Sequence, residues 1–351
     1  MMKKGLWSIV ILLLAALAQT AKAKDNAVIL LYHHVSEQTP AVTSVSPDVF
    51  RQHLEYLAAN YQVLPLQEVV QAISQNKPLP DKAVVITFDD GYDNIYQNAH
   101  PLLKEFKFPY TVFINPPLIG NASYQLSWQQ VQLMSKEGAT FANHGNTHEH
   151  LLAKYAGENE KQWLARVMQN INQAEQSLAQ QVGYSLKYFA YPYGEFNLKL
   201  KQALRQQGYV GFAQISGAVA SYSDFGALPR YPAAGIYSNL NSLKTKLDSL
   251  AMPVSNTTPA EPQLTLPIPA FQFKFDVLAD DLRMSQVNCF VADKVVPLSF
   301  AKNTITLPFK AQQRAGRQRI NCTAPSITEP NRYYWFSQPW FVPTEEGQWL
   351  D

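Results

Sequence analysis

Four short clusters of polar residues carry the side chains that hydrolytic or metal-dependent chemistry needs. The first is Asp89 with Asp90, two adjacent carboxylates followed by a glycine. Paired carboxylates directly after an apolar run are costly to bury unless they bind something. An Asp-Gly turn is also common, so this cluster by itself favours a turn over a site.

Histidines form two further clusters. His144 and His148 are four residues apart, a spacing at which two neutral imidazoles can converge on one ion. Exposed loop histidines explain that pair equally well, and we expect His150 to lie outside any site. His33 and His34 end an apolar run near the amino terminus, and all seven histidines of the chain fall within its first 150 residues.

The fourth cluster is the Tyr-Pro-Tyr-Gly sequence of residues 191–194, which is also compatible with an ordinary turn. The four clusters are more specific together, because each follows an apolar run of strand length. In a parallel α/β barrel the carboxyl ends of all strands lie on one face, so these distant residues would meet there. Two histidines and one aspartate form a zinc ligand set that leaves a position for water, and a second carboxylate beside it is a natural general base.

Alternating apolar runs and helical periodicity predict the elements that position these clusters. Apolar runs predict parallel strands at residues 28–31, 83–88, 110–114, 139–142, 188–190 and 209–215. Capping residues and apolar spacing predict helices that begin at residue 47 and that cover residues 127–136, 159–181 and 198–207. Roughly seven such units favour an α/β fold of the distorted (β/α)7-barrel type over a flat sheet.

After Met252 the pattern changes from α/β to all-β. Residues 253–269 contain five prolines and predict an irregular join, and short alternating runs from residue 271 onward predict a small antiparallel β-sandwich. We therefore divide the chain into residues 1–23, a barrel over 24–252, the join over 253–269 and the sandwich over 270–351. Aromatic residues within 333–341 are interpreted as sandwich core and domain interface, with sugar stacking as the alternative.

Composition and the amino terminus limit the class of protein. The 351 residues are 46% apolar and 16% charged, which excludes a disordered or fibrous protein. A formal net charge of +2 gives no basic excess for nucleic acid or an anionic membrane. Residues 1–23 have early lysines, a short apolar run and a small-x-small end, so we predict a signal peptide, export to the periplasm or the medium, and no stable membrane span in the mature chain. A retained amino-terminal anchor is the alternative.

The two cysteines are too few for a disulfide scaffold or a cysteine-based zinc site. Cys289 and Cys322 both fall in the all-β part of the chain. Because an exported chain folds in an oxidising compartment, we predict that they form a disulfide. Two buried free thiols are the alternative.

The sequence around Asp89 resembles the first motif of the polysaccharide deacetylases, the NodB-like carbohydrate esterases. Residues 144–148 resemble the paired-histidine motif of that family, and residues 191–194 resemble its proline-tyrosine-glycine motif. The three motifs occur in the family's order, and the resemblance covers about residues 27–250.

This resemblance implies a role for each of the clustered residues. Asp89 is expected to be the general base that takes the proton of the attacking water. One divalent ion, Zn²⁺ or alternatively Co²⁺ or Ni²⁺, is expected to be bound by Asp90, His144 and His148. The backbone N–H of the third residue in the 191–194 motif is expected to hold the oxyanion, and the first two residues to bind substrate; these are Tyr193, Tyr191 and Pro192.

The sequence departs from the family pattern at three points. Tyr191 stands where the family has the arginine that tethers the catalytic aspartate, and Gly145 replaces the serine or threonine that often follows the first metal histidine. No histidine follows His150, although the family's general acid normally lies near the end of the domain. The first strand resembles that of a branch with permuted motif order, which includes poly-β-1,6-N-acetylglucosamine deacetylases of biofilm export, and we therefore assign the acid to His33.

Together these features predict a metal-dependent hydrolase that removes N-acetyl groups from glycans containing N-acetylglucosamine. Poly-N-acetylglucosamine of the biofilm type is the first expectation for the substrate, followed by chitin oligomers and peptidoglycan. A catalytically weak glycan-binding protein of the same fold is one alternative, which the departures at Tyr191 and Gly145 motivate. A metal-dependent O-acetyl esterase is another. No nucleic-acid partner is expected.

Overall fold

The computed structural model describes residues 24–350 of the chain. The predicted signal peptide, residues 1–23, lies outside the described residues. Among the helices of residues 24–350, none combines the length and the apolar character that crossing a bilayer requires.

A curled parallel sheet forms the centre of the amino-terminal part. The strands of this part are β1 (Ala27–Tyr32), β2 (His34–Val35), β3 (Ser44–Val45), β4 (Gln62–Val63), β5 (Ala83–Phe88), β6 (Tyr110–Ile114), β7 (Ala139–Asn143), β8 (Tyr188–Ala190), β9 (Val210–Phe212), β10 (Tyr231–Pro232) and β11 (Leu250–Ala251). Seven of them follow one another in the order β10-β1-β5-β6-β7-β8-β9, and β4 pairs with β5 beside that path. Every pairing in this sheet is parallel, which confirms the predicted α/β class.

Helices alternate with these strands along the chain. They are α1 (Pro47–Asn60), α2 (Leu66–Ser74), α3 (His100–Phe106), α4 (Trp128–Lys136), α5 (Glu160–Val182), α6 (Leu198–Gln206) and α7 (Leu240–Leu247). Ser46 caps α1 by accepting a hydrogen bond from Val49 N–H, and Ser127 forms a capping box with Gln130 at the start of α4. The start of α1 and the span of α4 are therefore as the capping signals predicted.

Alternate residues of each strand belong to two different cores. Leu30 and Ile86 are register partners on β1 and β5, and they pack in a cluster with apolar residues of α1. Ile29 and Val85, one residue earlier on each strand, pack in a second cluster with Phe113 of β6. Since both faces of the strands are buried, the strand sequences are continuously apolar, and polar side chains are accommodated beyond the strand ends.

Two further sheets form the carboxyl-terminal part. Its strands are β12 (Val254–Thr258), β13 (Phe271–Val277), β14 (Asn288–Val291), β15 (Lys294–Val296), β16 (Ser299–Ala301), β17 (Thr304–Phe309), β18 (Gly316–Pro325) and β19 (Tyr333–Val342). One sheet has the order β11-β19-β18-β14-β15 and the other has the order β12-β13-β17-β16. Phe273 and Leu307 of the second sheet share one core with Cys322 and Trp340 of the first, so the two sheets face each other as a sandwich. This agrees with the predicted antiparallel β-sandwich, except that β11 pairs with β19 in parallel.

The segment predicted as an irregular join contains a strand. Residues 254–258 form β12, which pairs with β13, and Pro253 and Pro259 stand directly before and after it. Proline has no N–H to donate to a sheet, so it is suited to the ends of a strand. These two prolines mark the ends of an element, and the sandwich recruits residues from before position 270.

The sandwich interior contains the two cysteines and part of the aromatic cluster. Cys289 of β14 and Cys322 of β18 are register partners, are fully buried, and are joined by a disulfide. Trp340 is fully buried in the same core. Phe341 instead packs against Phe196 of the amino-terminal part, with ring centroids 5.5 Å apart. These two aromatic residues are core and interface side chains.

Candidate active site

The adjacent carboxylates of Asp89 and Asp90 follow directly on strand β5. The backbone N–H of Asp89 donates to the carbonyl of Tyr32 at 3.0 Å, which extends the pairing of β1 with β5 by one residue. The chain then turns sharply, with φ of 71° at Asp90 and 70° at Gly91. A Cβ atom at Gly91 would lie 2.8 Å from Cγ2 of Ile114, so the turn requires glycine there.

Arg230 holds Asp89 in a buried bidentate ion pair. Nη1 lies 2.7 Å from Oδ1 and Nη2 lies 2.8 Å from Oδ2, and both side chains are 0% exposed. Burial acts to raise the pKa of Asp89, but the charge and the hydrogen bonds of Arg230 outweigh it and hold the pKa below its usual value. Asp89 is therefore an anion at neutral pH.

Arg230 was not predicted from the sequence. It provides the tether that the family places immediately before the proline-tyrosine-glycine motif, where this chain has Tyr191. Arg230 directly precedes β10, which pairs with β1, and β1 pairs with β5. The available signal was a single arginine between two prolines, Pro229 and Pro232, in a segment without clear periodicity. Such a residue is assigned to a site only when the sheet order is known.

Asp90, His144 and His148 converge as a candidate metal site. Oδ1 of Asp90 lies 3.2 Å from Nε2 of His144 and 3.3 Å from Nε2 of His148, and the three ligand atoms lie within 4.8 Å of one another. Oδ1 of Asp90 and Nε2 of His144 are buried without a hydrogen-bond partner. Buried polar atoms are rarely left in this state, and a cation between them would satisfy both. The donor set therefore fits a divalent ion.

The backbone around β8 fixes the ring of His144. Nδ1 of His144 lies 2.8 Å from the carbonyl of Ala190, which accepts hydrogen bonds only, so Nδ1 carries the proton. Nε2 is then left with its lone pair on the side of Asp90, which is the tautomer that a metal ligand needs. The backbone N–H of His144 donates to the carbonyl of Ile114 at 2.9 Å, so two neighbouring strands position this side chain.

Gly145, one of the departures from the family pattern, has a structural reason. Its φ is 86°, a left-handed conformation that glycine adopts without strain. Its carbonyl accepts from Nδ2 of Asn115 at 3.0 Å, and its N–H donates to Oδ1 of Asn143 at 2.7 Å. A Cβ atom would lie 3.3 Å from Oδ1 of Asn170. Asparagine side chains thus order the loop that carries the histidine pair.

His33 and His34 have different surroundings, as adjacent residues of an extended chain must. His34 is buried, with its ring stacked at 3.7 Å on Tyr92 and its Nδ1 2.9 Å from Nδ2 of Asn94. Burial, assisted by the charge of His33, lowers the pKa of His34 to about 4. His33 instead lines the cleft that contains Asp90. Of the two histidines, His33 is the one placed to meet a substrate.

The expectation that Tyr191 and Pro192 bind substrate is wrong. Tyr191 is 0% exposed, and its hydroxyl donates to the carbonyl of Gly226 at 2.7 Å. Pro192 is buried beside it. The strand direction of β8 continues into Tyr191 and directs its ring into the apolar core under α5 and α6. Tyr193 is the member of the motif that lines the cleft, and its ring stacks on His150 at 4.0 Å.

Four of these side chains line one cleft of about 860 Å³, whereas those of Asp89 and His144 are 0% exposed and do not line it. This volume lies within the usual range for sites that bind small molecules or segments of polymers. Both parts of the chain contribute to its walls: His33, Asp90, His148 and Tyr193 come from the barrel, and Arg314, Arg317 and Trp349 come from the sandwich. The carboxyl-terminal part therefore forms one side of the candidate active site.

Residues 76–212, which include most of these groups, match the family model for polysaccharide deacetylase. This segment of the chain is similar to the polysaccharide deacetylases. The chain is 29% identical over 197 residues to the poly-beta-1,6-N-acetyl-D-glucosamine N-deacetylase of Staphylococcus aureus, a match that covers 53% of this chain and 67% of that protein. It is 25% identical over 251 residues to the protein of the same name from Escherichia coli K12, a match that covers 61% of this chain but 37% of that protein.

A solved structure has the same fold. The Streptococcus pyogenes deacetylase PplD, in complex with acetate, superposes with a TM-score of 0.56 at 24% identity, and the match covers 63% of this chain and 98% of that one. At this identity the likeness establishes the fold of the barrel. The family match and these relatives indicate a hydrolase of acetylated carbohydrate, so the class of enzyme predicted from the sequence is confirmed.

Proposed function

We propose that this deacetylase removes N-acetyl groups from a polysaccharide that contains N-acetylglucosamine, with poly-β-1,6-N-acetylglucosamine as the first substrate. One observation carries the proposal: a buried anionic carboxylate, Asp89, lies next to the unsatisfied ligand set of Asp90, His144 and His148. The relatives from Staphylococcus aureus and Escherichia coli support the substrate, because both are named for that polymer.

The ligand set suits one divalent cation, and we propose Zn²⁺, with Co²⁺ or Ni²⁺ as substitutes. Two imidazoles and one carboxylate are common zinc ligands and leave a position open. A bound ion would supply Lewis acidity, which would polarise the acetyl carbonyl and lower the pKa of water. Asp90 is the one carboxylate of the set, and a cation bound beside it would favour its charged form.

Asp89 takes the proton of the attacking water in this proposal. Its ion pair with Arg230 keeps the carboxylate charged and fixes its orientation, since both oxygens are bonded to one rigid guanidinium. Each oxygen retains a second lone pair with which to accept the water proton. Arg230 therefore acts on the base and not on the substrate.

His33 and the backbone of Tyr193 complete the reaction. The leaving amide nitrogen needs a proton, because an amide anion is too basic to depart, and an imidazole can carry that proton near neutral pH. His33 lines the cleft from the end of β1, whereas Asp89 follows the neighbouring β5. The backbone N–H of Tyr193 is assigned to the oxyanion. The products are acetate and a glucosamine unit of the polymer.

An acetate-release panel tests this function. The substrates are poly-β-1,6-N-acetylglucosamine, chitin oligomers, peptidoglycan and an activated acetyl ester, each with chelator, without chelator and after Zn²⁺ is restored. We expect release from the poly-β-1,6 polymer that is lost with chelator and regained with Zn²⁺. Release from the ester alone identifies an O-acetyl esterase, and glycan binding without any release identifies a binding protein. Release that withstands the chelator contradicts the metal site.

We also propose that the protein is exported to the periplasm or the medium. The disulfide between Cys289 and Cys322 supports this location, because structural disulfides persist in oxidising compartments. Amino-terminal sequencing of protein recovered from the periplasm or medium tests it. A mature chain that begins at Lys24 is expected, and an uncleaved chain in the membrane fraction supports the retained anchor instead.

A further inference from the structure

Arg317 of the sandwich contacts the backbone of two barrel loops at the candidate active site. This residue lies near the start of β18, and its guanidinium donates two hydrogen bonds to carbonyl groups of the barrel. Nη2 donates to the carbonyl of Tyr193, and Nη1 lies 3.3 Å from the carbonyl of Gln214. The acceptors are 124 and 103 residues away along the chain. One arginine thus links two loops at the mouth of the cleft.

A platform anchored in both parts of the chain holds Arg317. Its register partner on β19 is Phe341, and the guanidinium carbon lies 5.8 Å from the centroid of the Phe341 ring. Phe341 is 2% exposed and packs against Phe196 of the barrel core. A planar guanidinium with a fixed fork can stack on a ring and bind two carbonyls at once, whereas the ammonium group of lysine is a single point of donation.

The carbonyl that Arg317 binds is that of Tyr193, whose backbone has an unfavourable left-handed conformation. Tyr193 has φ of 54° and ψ of 4°, in the left-handed region that residues other than glycine rarely adopt. The next residue, Gly194, has φ of 68°, and a Cβ atom there would lie 2.7 Å from Cβ of Gln214. The two loops that Arg317 links are therefore in close contact. The same φ and ψ at Tyr193 set the direction of its backbone N–H relative to its bound carbonyl.

We propose that Arg317 is a positioning residue for deacetylation, which makes the β-sandwich a required part of the active site. By holding the Tyr193 carbonyl, Arg317 fixes the left-handed turn and aims the Tyr193 N–H at the position of the oxyanion. This inference rests on the proposed function. Because the oxyanion forms only in the transition state, the loss of Arg317 acts on kcat and leaves KM nearly unchanged.

Arg319 offers a matched control on the same strand. It lies two residues further along β18, and its Nη2 lies 3.1 Å from the hydroxyl of Tyr237. Tyr237 is neither the proposed base nor one of the candidate metal ligands. Both arginines have solvent-exposed surface, and Arg317 also lies near the charge of Glu195 in the cleft wall. Arg317→Met and Arg319→Met remove the same group and the same charge, and both keep most of the aliphatic stem.

Steady-state acetate release by the zinc-loaded full chain compares these variants. We expect Arg317→Met to lower kcat about 10- to 100-fold relative to Arg319→Met, with KM within about twofold. Arg317→Lys should recover part of the loss, since an ammonium group can reach one of the two carbonyls. Bound zinc and the thermal midpoint should match those of Arg319→Met. Equal kcat in the two methionine variants overturns the inference. A lower kcat in Arg317→Met that is explained by lower zinc content or by a lower thermal midpoint also overturns it. A raised KM at unchanged kcat also overturns it.

Hydrogen exchange provides a measurement that does not depend on activity. The N–H groups of Gly194 and Glu195 donate to the carbonyls of Tyr191 and Pro192 at 2.8 and 3.3 Å, so they report on the turn around Tyr193. We expect these amides to exchange faster in Arg317→Met than in Arg319→Met, and equal exchange overturns the inference. If the wild type releases no acetate from any glycan, the proposed function fails, while this measurement still decides whether Arg317 orders the loop.

Discussion

The rim of the barrel and the interior of the sandwich bury opposite kinds of groups. At the rim Asp89, Arg230 and His144 are all 0% exposed, whereas the sandwich interior contains aromatic rings such as Trp340 and a disulfide. Burying charge costs free energy unless each charge is paired, and burying apolar surface lowers the free energy of the folded state. The sandwich interior therefore supplies stability, and the barrel rim buries the charged groups that the proposed reaction uses. Substitutions in the two regions should separate these contributions.

The largest effect is expected at the candidate metal site. His144→Ala removes the Nε2 ligand that is buried without a partner, so it should abolish both stoichiometric zinc and acetate release. Metal analysis and the acetate assay measure the two losses. His150→Ala is the control, because His150 pairs with Glu195 and lies outside the ligand set; it should keep its zinc. Full zinc occupancy in His144→Ala would remove His144 from the site.

The next largest effect is expected at the proposed base. Asp89→Asn keeps the size of the side chain but removes the charge that accepts a proton, so acetate release should fall about 10²- to 10⁴-fold. The zinc content should remain that of the wild type, because the metal ligand set begins at the next residue, Asp90. An active Asp89→Asn variant would mean that another group deprotonates the water.

The pair His33 and His34 tests which rim residue donates the final proton. His33→Ala should keep zinc and lose most of its activity on acetamides, and it should lose less on an activated acetyl ester, whose leaving group needs no proton. His34→Ala is the internal control, since His34 is buried against Tyr92. The same pattern in His34→Ala alone would place the acid one residue later. Its absence in both variants would refute the permuted-motif assignment.

Arg230→Met tests whether the buried ion pair sets both stability and the acidic limit of activity. The substitution leaves the Asp89 charge buried without its arginine partner, which should lower the free energy of unfolding by about 3–5 kcal/mol. Arg230 lowers the pKa of Asp89, so without it that pKa rises and the acid limb of the rate profile moves to higher pH. Urea unfolding and a pH–rate series measure the two effects.

Arg51→Met is the control for that measurement. Arg51 makes an equally short bidentate pair with Glu105, at 2.8 and 2.7 Å, but this pair is exposed to solvent. Exposed pairs contribute little to stability, so this variant should unfold and react much like the wild type. An Arg230→Met enzyme with an unchanged acid limb would show that Asp89 does not depend on Arg230 for its charge.

The smallest effect on activity is expected in the sandwich interior. Replacing Cys289 and Cys322 together by alanine should lower the free energy of unfolding by about 2–4 kcal/mol and leave kcat unchanged at 25 °C. The unreduced wild type should contain no titratable thiol. Two titratable thiols would contradict the disulfide, and a large fall in kcat would show that the sandwich interior also supports the chemistry.

The elements that are buried on both faces were the ones that the sequence identified best. Residues 83–88, 110–114 and 188–190 are strands with the predicted bounds, because continuous apolar runs occur where neither face meets water. The disulfide partners and the convergence of Asp90 with His144 and His148 also agree with expectation.

The contacts that the sequence did not identify join distant segments through single side chains. Arg230 reaches Asp89 across the sheet order, and Arg317 reaches Tyr193 from another sheet. Neither arginine belongs to a periodic pattern or a motif, so local rules carry no information about its partner. Tyr191 was misassigned for a related reason: its motif neighbours suggested a site, while its side-chain direction followed from the strand before it.

The parallel pairing of β11 with β19 limits where the barrel and the sandwich could be separated and joined to parts of other proteins. Leu250 and Ala251 complete the barrel segment and also form the edge of a sandwich sheet, opposite Tyr334 and Trp335. Trp335 in turn meets the buried ring of Tyr231, with centroids 5.6 Å apart. A crossover point at residue 252 would therefore cut through a shared sheet, and the two parts would be inherited or exchanged as one unit.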